Sequence, residues 1–500
     1  MIRGLDTSVK RLRKQVFTEV ARVAWESDNI NEDIEAIPYK ITPGDVPLYR
    51  ESIWRERAIC AERVRLAMGM SLRPEDQPVH VTAGITESNI SEKYYEPPLM
   101  QVIPSACDAC AVKRYKVTDN CRGCVAHPCV EVCPKGAISL QNGRSVIDQD
   151  KCIKCGKCRA ACPYSAIAYE TRPCADACGV NAIESDELGR ARINPDKCVS
   201  CGMCMVNCPF GAIADKSQIF QLIRALKEGG EIIAEIAPAY IGQFGNAGPK
   251  KVKAALMELG FSEVYEVALG ADMGAVTEAH HYVKEVVNGD LPFLLTSCCP
   301  SWSMLAKLYF PDMADKVSSA LTPMVATART IKKKHPNARV VFVGPCASKK
   351  LEASRRSVRS DVDFVITFEE LAAMFDAKGI DPEKLEHEEE IHDATGAGRG
   401  YGVAGGVAEA IEKCINAYYP DVDVYIEHAE GLDECRKMLL LAKTGKKDGC
   451  LIEGMGCPGG CVAGAGTNIP IPKATLAVKK SVKDSSKKIP PKELGEIELD

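Results

Sequence analysis

The chain has 500 residues, 46% hydrophobic and 26% charged, with a formal net charge of −5. That length exceeds one compact core and predicts two to four domains, and the charge balance gives no reason to expect a nucleic-acid ligand. No stretch reaches the roughly 20 apolar residues that cross a bilayer, and the start MIRGLDTSVKRLRKQVFTEV lacks the continuous apolar run of a signal peptide, so the expectation is a cytoplasmic protein with no membrane span.

In chain order, residues 1–100 read as a mainly helical region of no evident role: SVKRLRKQVFTEVARVAW and YRESIWRERAICAERVRLAMGM carry apolar residues at three- and four-residue intervals. Pro97, Pro98 and Pro104 break that pattern before a cysteine-rich segment, placed at 101–215. From 216 to 472, helical segments alternate with short apolar runs (EIIAEIAP, LPFLLTS, RVVFVGP, VDFVIT, GCLIEGMG). That alternation predicts an α/β domain built on a largely parallel sheet. Ligands of such sheets sit beyond the carboxyl ends of the strands, where TSCCP, GPC and MGC fall. Residues 473–500, rich in Lys and Ser and then in Pro and Glu, read as a tail that is mobile or wrapped on the surface. The whole is a multidomain α+β protein.

Cysteine is the outlier at 25 residues, sixteen of them between Cys107 and Cys208. Thiols this closely spaced and proline-terminated imply metal rather than disulfides. Cys152, Cys155, Cys158 and Cys162 form C-x-x-C-x-x-C-x-x-x-C-P, and Cys198, Cys201, Cys204 and Cys208 form it again. This is the spacing of ferredoxin-like [4Fe-4S] segments, in which the fourth cysteine ligates the neighbouring cluster. Cys121, Cys124, Cys129 and Cys133 make a third copy with a wider centre, and Cys174 and Cys178 a partial fourth that lacks its leading C-x-x-C and has Gly179 in place of the proline. Adding Cys107 and Cys110 completes four sets of four: Cys121, Cys124, Cys129 and Cys162; Cys152, Cys155, Cys158 and Cys133; Cys198, Cys201, Cys204 and Cys178; Cys107, Cys110, Cys174 and Cys208. Spacing alone leaves an alternative in which Cys107 and Cys110 hold zinc or stay free and three clusters remain. His127 is expected in a supporting or surface position. Clusters in a row carry electrons from an exposed centre to a buried one.

The C-terminal half holds TSCCPSW (Thr296–Trp302), GPCASKKLE (Gly344–Glu352) and EGMGCPGGCVAGAG (Glu453–Gly466). These three segments, in this order, resemble the signatures of [FeFe] hydrogenases. The resemblance runs over about residues 217–470 and includes IAPAY at Ala237 and Pro238. Unaided, four cysteines on three loops read only as an iron–sulfur or zinc site. The resemblance implies that Cys299, Cys346, Cys457 and Cys461 hold the H-cluster, a [4Fe-4S] cluster bridged through Cys461 to a two-iron subcluster with CO, cyanide and dithiolate ligands. It also implies reversible H2 oxidation and proton reduction, supplied by the three to four accessory clusters, four favoured.

The same resemblance makes Cys298 the last proton carrier, which suits a thiol with a reference pKa of ~8.5. Glu278 and Ser318 match the path outward. The next, usually acidic, position holds His281, whose imidazole can relay protons near neutral pH and so reroute the path, the alternative being a packed or solvated histidine. Lys349 matches the lysine that hydrogen-bonds a cyanide ligand and Met455 the methionine packed on the subcluster. Glu352 is expected to pair with a neighbouring cation. Gly344 stands where many members have methionine, Ala239 where serine is common, and Ala465 interrupts a glycine run. The implied partners are H2 and protons, a soluble ferredoxin or similar carrier, and hydrogenase maturation proteins. A hydrogen sensor and a non-catalytic hydrogenase-like iron–sulfur protein are the rival readings. The glycine run Gly396–Gly406 reads as a turn into a helix rather than a nucleotide loop. Cys60, Cys414, Cys435 and Cys450 read as ordinary thiols.

Overall fold

The computed structural model describes residues 6–391 and 394–496; the first five and last four residues, which belong to the N-terminal region and the tail, and residues 392–393 lie outside the described residues. The N-terminal region folds into the helices Ser8–Glu26, Ile30–Ile41 and Ile53–Ala67 and the short turn Ile85–Ser88. The Thr7 hydroxyl caps the first helix by accepting from the Lys10 amide. Val16, Phe17, Val20 and Val64 belong to the same hydrophobic core as Ile233, Val341 and Ile366 of the C-terminal half. The first 100 residues are thus part of the main body rather than an appendage.

The cysteine-rich segment contains one ferredoxin-like unit inserted into another. In the outer unit, strand Arg114–Val117 pairs antiparallel with Ile167–Glu170 and encloses the hairpin Ile138–Gln141/Arg144–Ile147. In the inner unit, Met100–Val102 pairs antiparallel with Ile213–Asp215 and encloses the hairpin Ile183–Ser185/Ala191–Ile193. The outer unit enters the chain between Cys110 and Arg172. That insertion is why the partial repeat at Cys174 lacks an adjacent C-x-x-C: its leading pair, Cys107 and Cys110, lies before the insertion. The outer unit has its own small core of Ile138, Ile147 and Ile167.

The C-terminal half holds two parallel sheets where the sequence predicted one. Glu263–Glu266, Ile232–Ile236, Arg339–Gly344 and Phe364–Thr367 form the first, and Leu294–Leu295, Cys450–Met455 and Tyr425–Glu430 the second. The first sheet is covered on both faces, so its three strands at 232–236, 339–344 and 364–367 are near-continuous apolar runs. The strands at 263–266 and 425–430 escape sequence reading because acidic residues interrupt them.

The tail is a correction to expectation. Ile471–Asp484 is a helix, and the 472/473 boundary cuts through it. Ala474 and Val478 are fully buried, an i, i+4 pair on one face that the surrounding lysines and serines obscure. The strand of chain after it is held where Gly396 donates to the Lys487 carbonyl at 2.8 Å.

Candidate metal and catalytic centre

Each cysteine repeat imposes the same backbone. The residue before the second cysteine is left-handed in the leading C-x-x-C of each set: Ala109 (φ +46°), Gly123 (+58°), Lys154 (+59°) and Ser200 (+53°). Three of these carry side chains, and such a conformation persists where surrounding function requires it. At the other end of each repeat the fourth thiol accepts an amide four residues on: Ala137 to Cys133 at 3.3 Å, Ala166 to Cys162 at 3.4 Å, Ala182 to Cys178 at 3.2 Å and Ala212 to Cys208 at 3.4 Å.

Cys121, Cys124, Cys129 and Cys162 line one small cavity, and Cys107, Cys110, Cys174 and Cys208 another. Cys178 lies among Cys198, Cys201 and Cys204, and Cys152 and Cys155 beside Cys158. Cys133 joins the last group through the outer core. Gly179 replaces proline because a Cβ there would come within 2.6 Å of Leu432 Cβ.

In the C-terminal half, Cys299 opens the helix Pro300–Tyr309, Cys346 opens Ala347–Glu352, and Cys457 and Cys461 follow the strand Cys450–Met455. All sit beyond strand carboxyl ends, as the sequence predicts. Cys461 and Cys346 have Cys299 as a charged neighbour, and Gly456 donates its amide to Cys299 Sγ at 3.4 Å. Burial pushes the Cys346 thiol up to about 11 and Cys461 higher still. Ala237 and Pro238 lie at the same end, with the Ala237 amide on the Val343 carbonyl at 2.8 Å. A Cβ on Gly344 would meet the Phe342 ring at 2.3 Å and Ala237 at 3.2 Å, so Phe342 fills the space of the missing side chain. Met455 is buried in the apolar cluster that Cys298 and Cys299 border.

Lys349 donates to Glu352 at 2.6 Å. Burial alone would lower its ammonium, but Glu352 and the nearby Cys346 and Cys298 hold it above the ordinary lysine value. An ammonium has three donors, so the pair leaves others for a ligand.

A chain of polar groups leads outward from Cys298. Its thiol is pushed well up by burial, with Glu278, Cys299, Glu453 and Cys461 as charged neighbours. Glu278 accepts the Ser297 amide at 2.8 Å. Burial raises its carboxyl to about 7 against the opposing hydrogen bonds of Ser297 and Ser318. Ser318 Oγ lies 3.3 Å from His281 Nδ1. Glu278 and His281 share a face of the helix Ala268–His281, which then widens into a π-turn. Burial holds the His281 imidazole below its ordinary value, and His280 turns instead to Tyr419 Oη at 3.1 Å.

Several residues here escaped sequence reading. Ser348 Oγ donates to the Val199 carbonyl at 2.9 Å and Ser301 Oγ at 3.5 Å, clasping the inner cysteine loop onto two catalytic loops. Ala465 packs there too, where a Cβ on Gly202 would approach it to 2.6 Å. Glu453 anchors the glycine-rich turn by accepting the amides of Gly405 at 2.9 Å and Ala408 at 2.8 Å. Glu235 is fully buried with neither oxygen hydrogen-bonded. A serine in a signature segment gives no hint that it reaches a carbonyl about 150 residues away. A cleft of about 1040 Å³ between the helices Ser8–Glu26 and Phe368–Lys378 lies apart from the C-terminal cysteines.

Residues 230–465 match the family described as iron only hydrogenase large subunit, C-terminal domain, and residues 145–168 and 191–214 each match the 4Fe-4S binding domain. Iron hydrogenase 1 of Clostridium pasteurianum is 32% identical over 387 residues, 67% of this chain and 67% of its own. The chain belongs to the [FeFe] hydrogenase family. Another relative is the periplasmic [Fe] hydrogenase large subunit of Nitratidesulfovibrio vulgaris, 31% identical over 64% of this chain and 85% of its own. A solved [FeFe]-hydrogenase from Chlamydomonas reinhardtii aligns over 53% of this chain and 87% of its own, at 22% identity and a TM-score of 0.43. Membership in the [FeFe] hydrogenase family, with its 4Fe-4S motifs, makes this an iron–sulfur protein. None of the helices among the described residues is long and apolar enough to cross a membrane.

The donor sets fit such clusters. Four thiols spread round each of two small cavities suit a cubane. Soft thiolate donors select iron–sulfur centres, and coordination supplies the deprotonation that burial opposes.

Proposed function

We propose that this [FeFe] hydrogenase family member catalyses 2H⁺ + 2e⁻ ⇌ H2 at an H-cluster held by Cys299, Cys346, Cys457 and Cys461, fed by four accessory [4Fe-4S] clusters. The observation that carries the reading is the half-buried Cys298, adjacent to those ligands and followed outward by Glu278, Ser318 and His281. A cluster that only carried electrons would have no use for a proton path.

When bound, the H-cluster supplies the iron site at which protons and electrons combine. Cys298 holds and passes a proton at Sγ, Glu278 and Ser318 move it along the buried stretch, and His281 exchanges it at the half-exposed end, its neutral imidazole able both to accept and to donate. Lys349 orients an anionic ligand of the cluster through a charge-assisted hydrogen bond in a dry pocket. Met455, Ala237, Pro238 and Phe342 exclude water.

The accessory ligand sets are those predicted from the sequence. The left-handed turn at Ala109, like those in the leading C-x-x-C of the other three sets, favours a fourth cluster at Cys107, Cys110, Cys174 and Cys208 over zinc or free thiols. A soluble ferredoxin-type carrier supplies or takes electrons, and maturation proteins install the two-iron subcluster.

The test is hydrogen evolution from a reduced dye by anaerobically purified, maturated protein, beside Cys298→Ser. Fast turnover abolished by the substitution is the expected result. Negligible turnover with intact CO and cyanide infrared bands would replace the enzyme by a sensor, and absence of those bands by a non-catalytic iron–sulfur protein.

A further inference from the structure

The outer and inner units carry the same ligand pattern with different residues between the ligands. The outer loop reads Cys152-Ile-Lys-Cys155-Gly-Lys-Cys158-Arg, the inner Cys198-Val-Ser-Cys201-Gly-Met-Cys204-Met. Their backbones agree, with Lys154 and Ser200 at φ +59° and +53° and Gly156 and Gly202 at +77° and +75°. All four inner substituents are buried, Val199, Ser200, Met203 and Met205, with Val199 in a cluster of the C-terminal half and Met203 and Met205 in one that includes Ala465. Their outer counterparts Ile153, Lys154, Lys157 and Arg159 are exposed, as is the ligand Cys155 itself.

Charge separates the units as well. Residues 113–170 hold ten lysines and arginines against five acids, a net of +5 in a chain of net −5. Residues 171–215 hold four against six. All ten outer cations are exposed. Some pair locally, as Arg114 does with Glu170 and Arg144 with Asp119. Lys135, Lys154, Lys157 and Arg159 enter no ion pair among the described residues. These four surround the Cys133, Cys152, Cys155 and Cys158 set, and Ile153, 56% exposed, adds an apolar centre.

We propose that this rim is the docking surface for a small acidic electron-carrier protein, and that the cluster it surrounds is the point of electron entry. The proposal deepens the cluster assignment above and rests on it. Each encounter transfers one electron: the carrier's centre is oxidised, the outer cluster is reduced, and no bond forms or breaks. Unpaired cations around an exposed cofactor ligand attract and orient an acidic partner, raising encounter rates by about 10–1000-fold at low salt. An exposed isoleucine within a charged ring gives the small desolvated centre that docking needs. The buried inner repeat has no such surface, so the two units give the wire a direction.

The test is stopped-flow reduction of the iron-loaded protein by a reduced acidic two-cluster ferredoxin across ionic strength, followed by absorbance and by EPR of freeze-quenched samples. The expected result is a second-order rate that falls with salt, and a Lys154→Glu/Lys157→Glu protein roughly tenfold slower at low salt and nearly insensitive to it. At high salt, where the charge difference is screened, dithionite should reduce the clusters of both proteins at equal rates. Lys479→Glu/Lys480→Glu, on the tail helix, should behave as wild type. An unchanged rate in the Lys154/Lys157 variant, an equal loss in the tail variant, or equally strong salt-sensitive binding to phosphatidylglycerol vesicles would overturn the proposal. Should the charge reversal lose iron, Lys154→Ser/Lys157→Met, the residues of the inner repeat, carries the same test. No step requires hydrogen turnover, so failure of the enzyme reading leaves this result standing, and failure of the cluster assignment appears as missing iron before mixing.

Discussion

The Cys152 and Cys198 loops share ligand spacing and backbone yet have opposite surroundings. Around Cys152 the intervening side chains are exposed and mostly cationic; around Cys198 they are buried and mostly apolar, with Val199 and Gly202 held against Ser301, Ser348 and Ala465. The ligands decide which cofactor fits, and the residues between them decide where it sits in the electron path. A repeat read only by its cysteines therefore misses half of what it encodes. The contrast also predicts where pH should matter: neither loop has a carboxylate or histidine between its first three cysteines, so electron entry should be flat around neutrality and pH dependence should arise in the catalytic half.

Glu278→Gln gives the largest expected effect. Removing a positioned proton-transfer group costs about 10²–10⁴ in rate, so hydrogen evolution should fall by that range while stopped-flow reduction of the outer cluster is unchanged. The wild-type carboxyl, raised to about 7 by burial, keeps its proton below that pH and loses it above. Proton delivery should thus decline above pH 7. Stability has the same sign: because the folded value exceeds the unfolded one near 4.5, the benefit of the neutral buried acid is complete below 4.5 and is lost as pH rises through about 7. The glutamine protein should lack that decline in an unfolding titration. Flat hydrogen-evolution profiles in both proteins would remove Glu278 from the path.

Lys350→Met comes next and attacks the seat of the inner unit. Lys350 is buried and donates to Asp215 at 2.7 Å, at the end of an inner-unit strand, and to Glu370 at 2.8 Å. Breaking a buried pair by removing one partner costs about 3–5 kcal/mol; here two buried carboxylates lose their ammonium, leaving Asp215 with Arg13 at 3.8 Å and Glu370 with the Thr367 amide. Thermal unfolding should shift down and the inner clusters should lose iron first. The outer unit, with its own core, should keep its EPR signals; simultaneous loss from both units would show that they fold as one.

Much of this was legible in the sequence because cysteine chemistry is local. Spacing alone proposed the four sets, and two of them line common cavities, Cys107 with Cys174 across an inserted unit included. The strands at 232–236, 339–344, 364–367 and 450–455 were visible as apolar runs, and the catalytic cysteines follow strand ends as expected. What stayed hidden is non-local. The division into two sheets depends on pairing, which no single run reveals. The helix at 471–484 exposes most of its residues, so its composition resembles a linker. Ser348, Arg63 and Lys350 act through partners more than 100 residues away, and nothing beside them in the chain marks that reach.

Arg63→Gln has the smallest expected effect and sharpens the comparison most directly. The Arg63 guanidinium is buried in the helix Ile53–Ala67 and donates Nη2 to the Gly211 carbonyl at 2.7 Å, in the turn that follows Cys208, while Nε and Nη1 have no partner among the described residues. Burial lowers it to about 10, with Cys60 and Cys208 pulling the other way, so it remains charged at neutrality. Arg50 donates to the Ala106 and Phe210 carbonyls at 3.0 Å and Arg172 to the Cys110 carbonyl at 3.1 Å, completing a cationic collar around the Cys107, Cys110, Cys174 and Cys208 set. A fixed positive charge favours the reduced, more negative form of a thiolate-ligated cluster, by about 1–2 kcal/mol at an effective dielectric near 20. Removing it should lower the midpoint of that one inner cluster in an EPR-monitored redox titration, with Arg63→Lys restoring part of the shift and the outer clusters unmoved. This would give the N-terminal helices a role: they supply the charge that keeps electrons moving inward from a surface whose own lysines are screened by water. Equal midpoints in all three proteins at full iron content would reduce the collar to packing and leave the direction of flow to the outer rim alone.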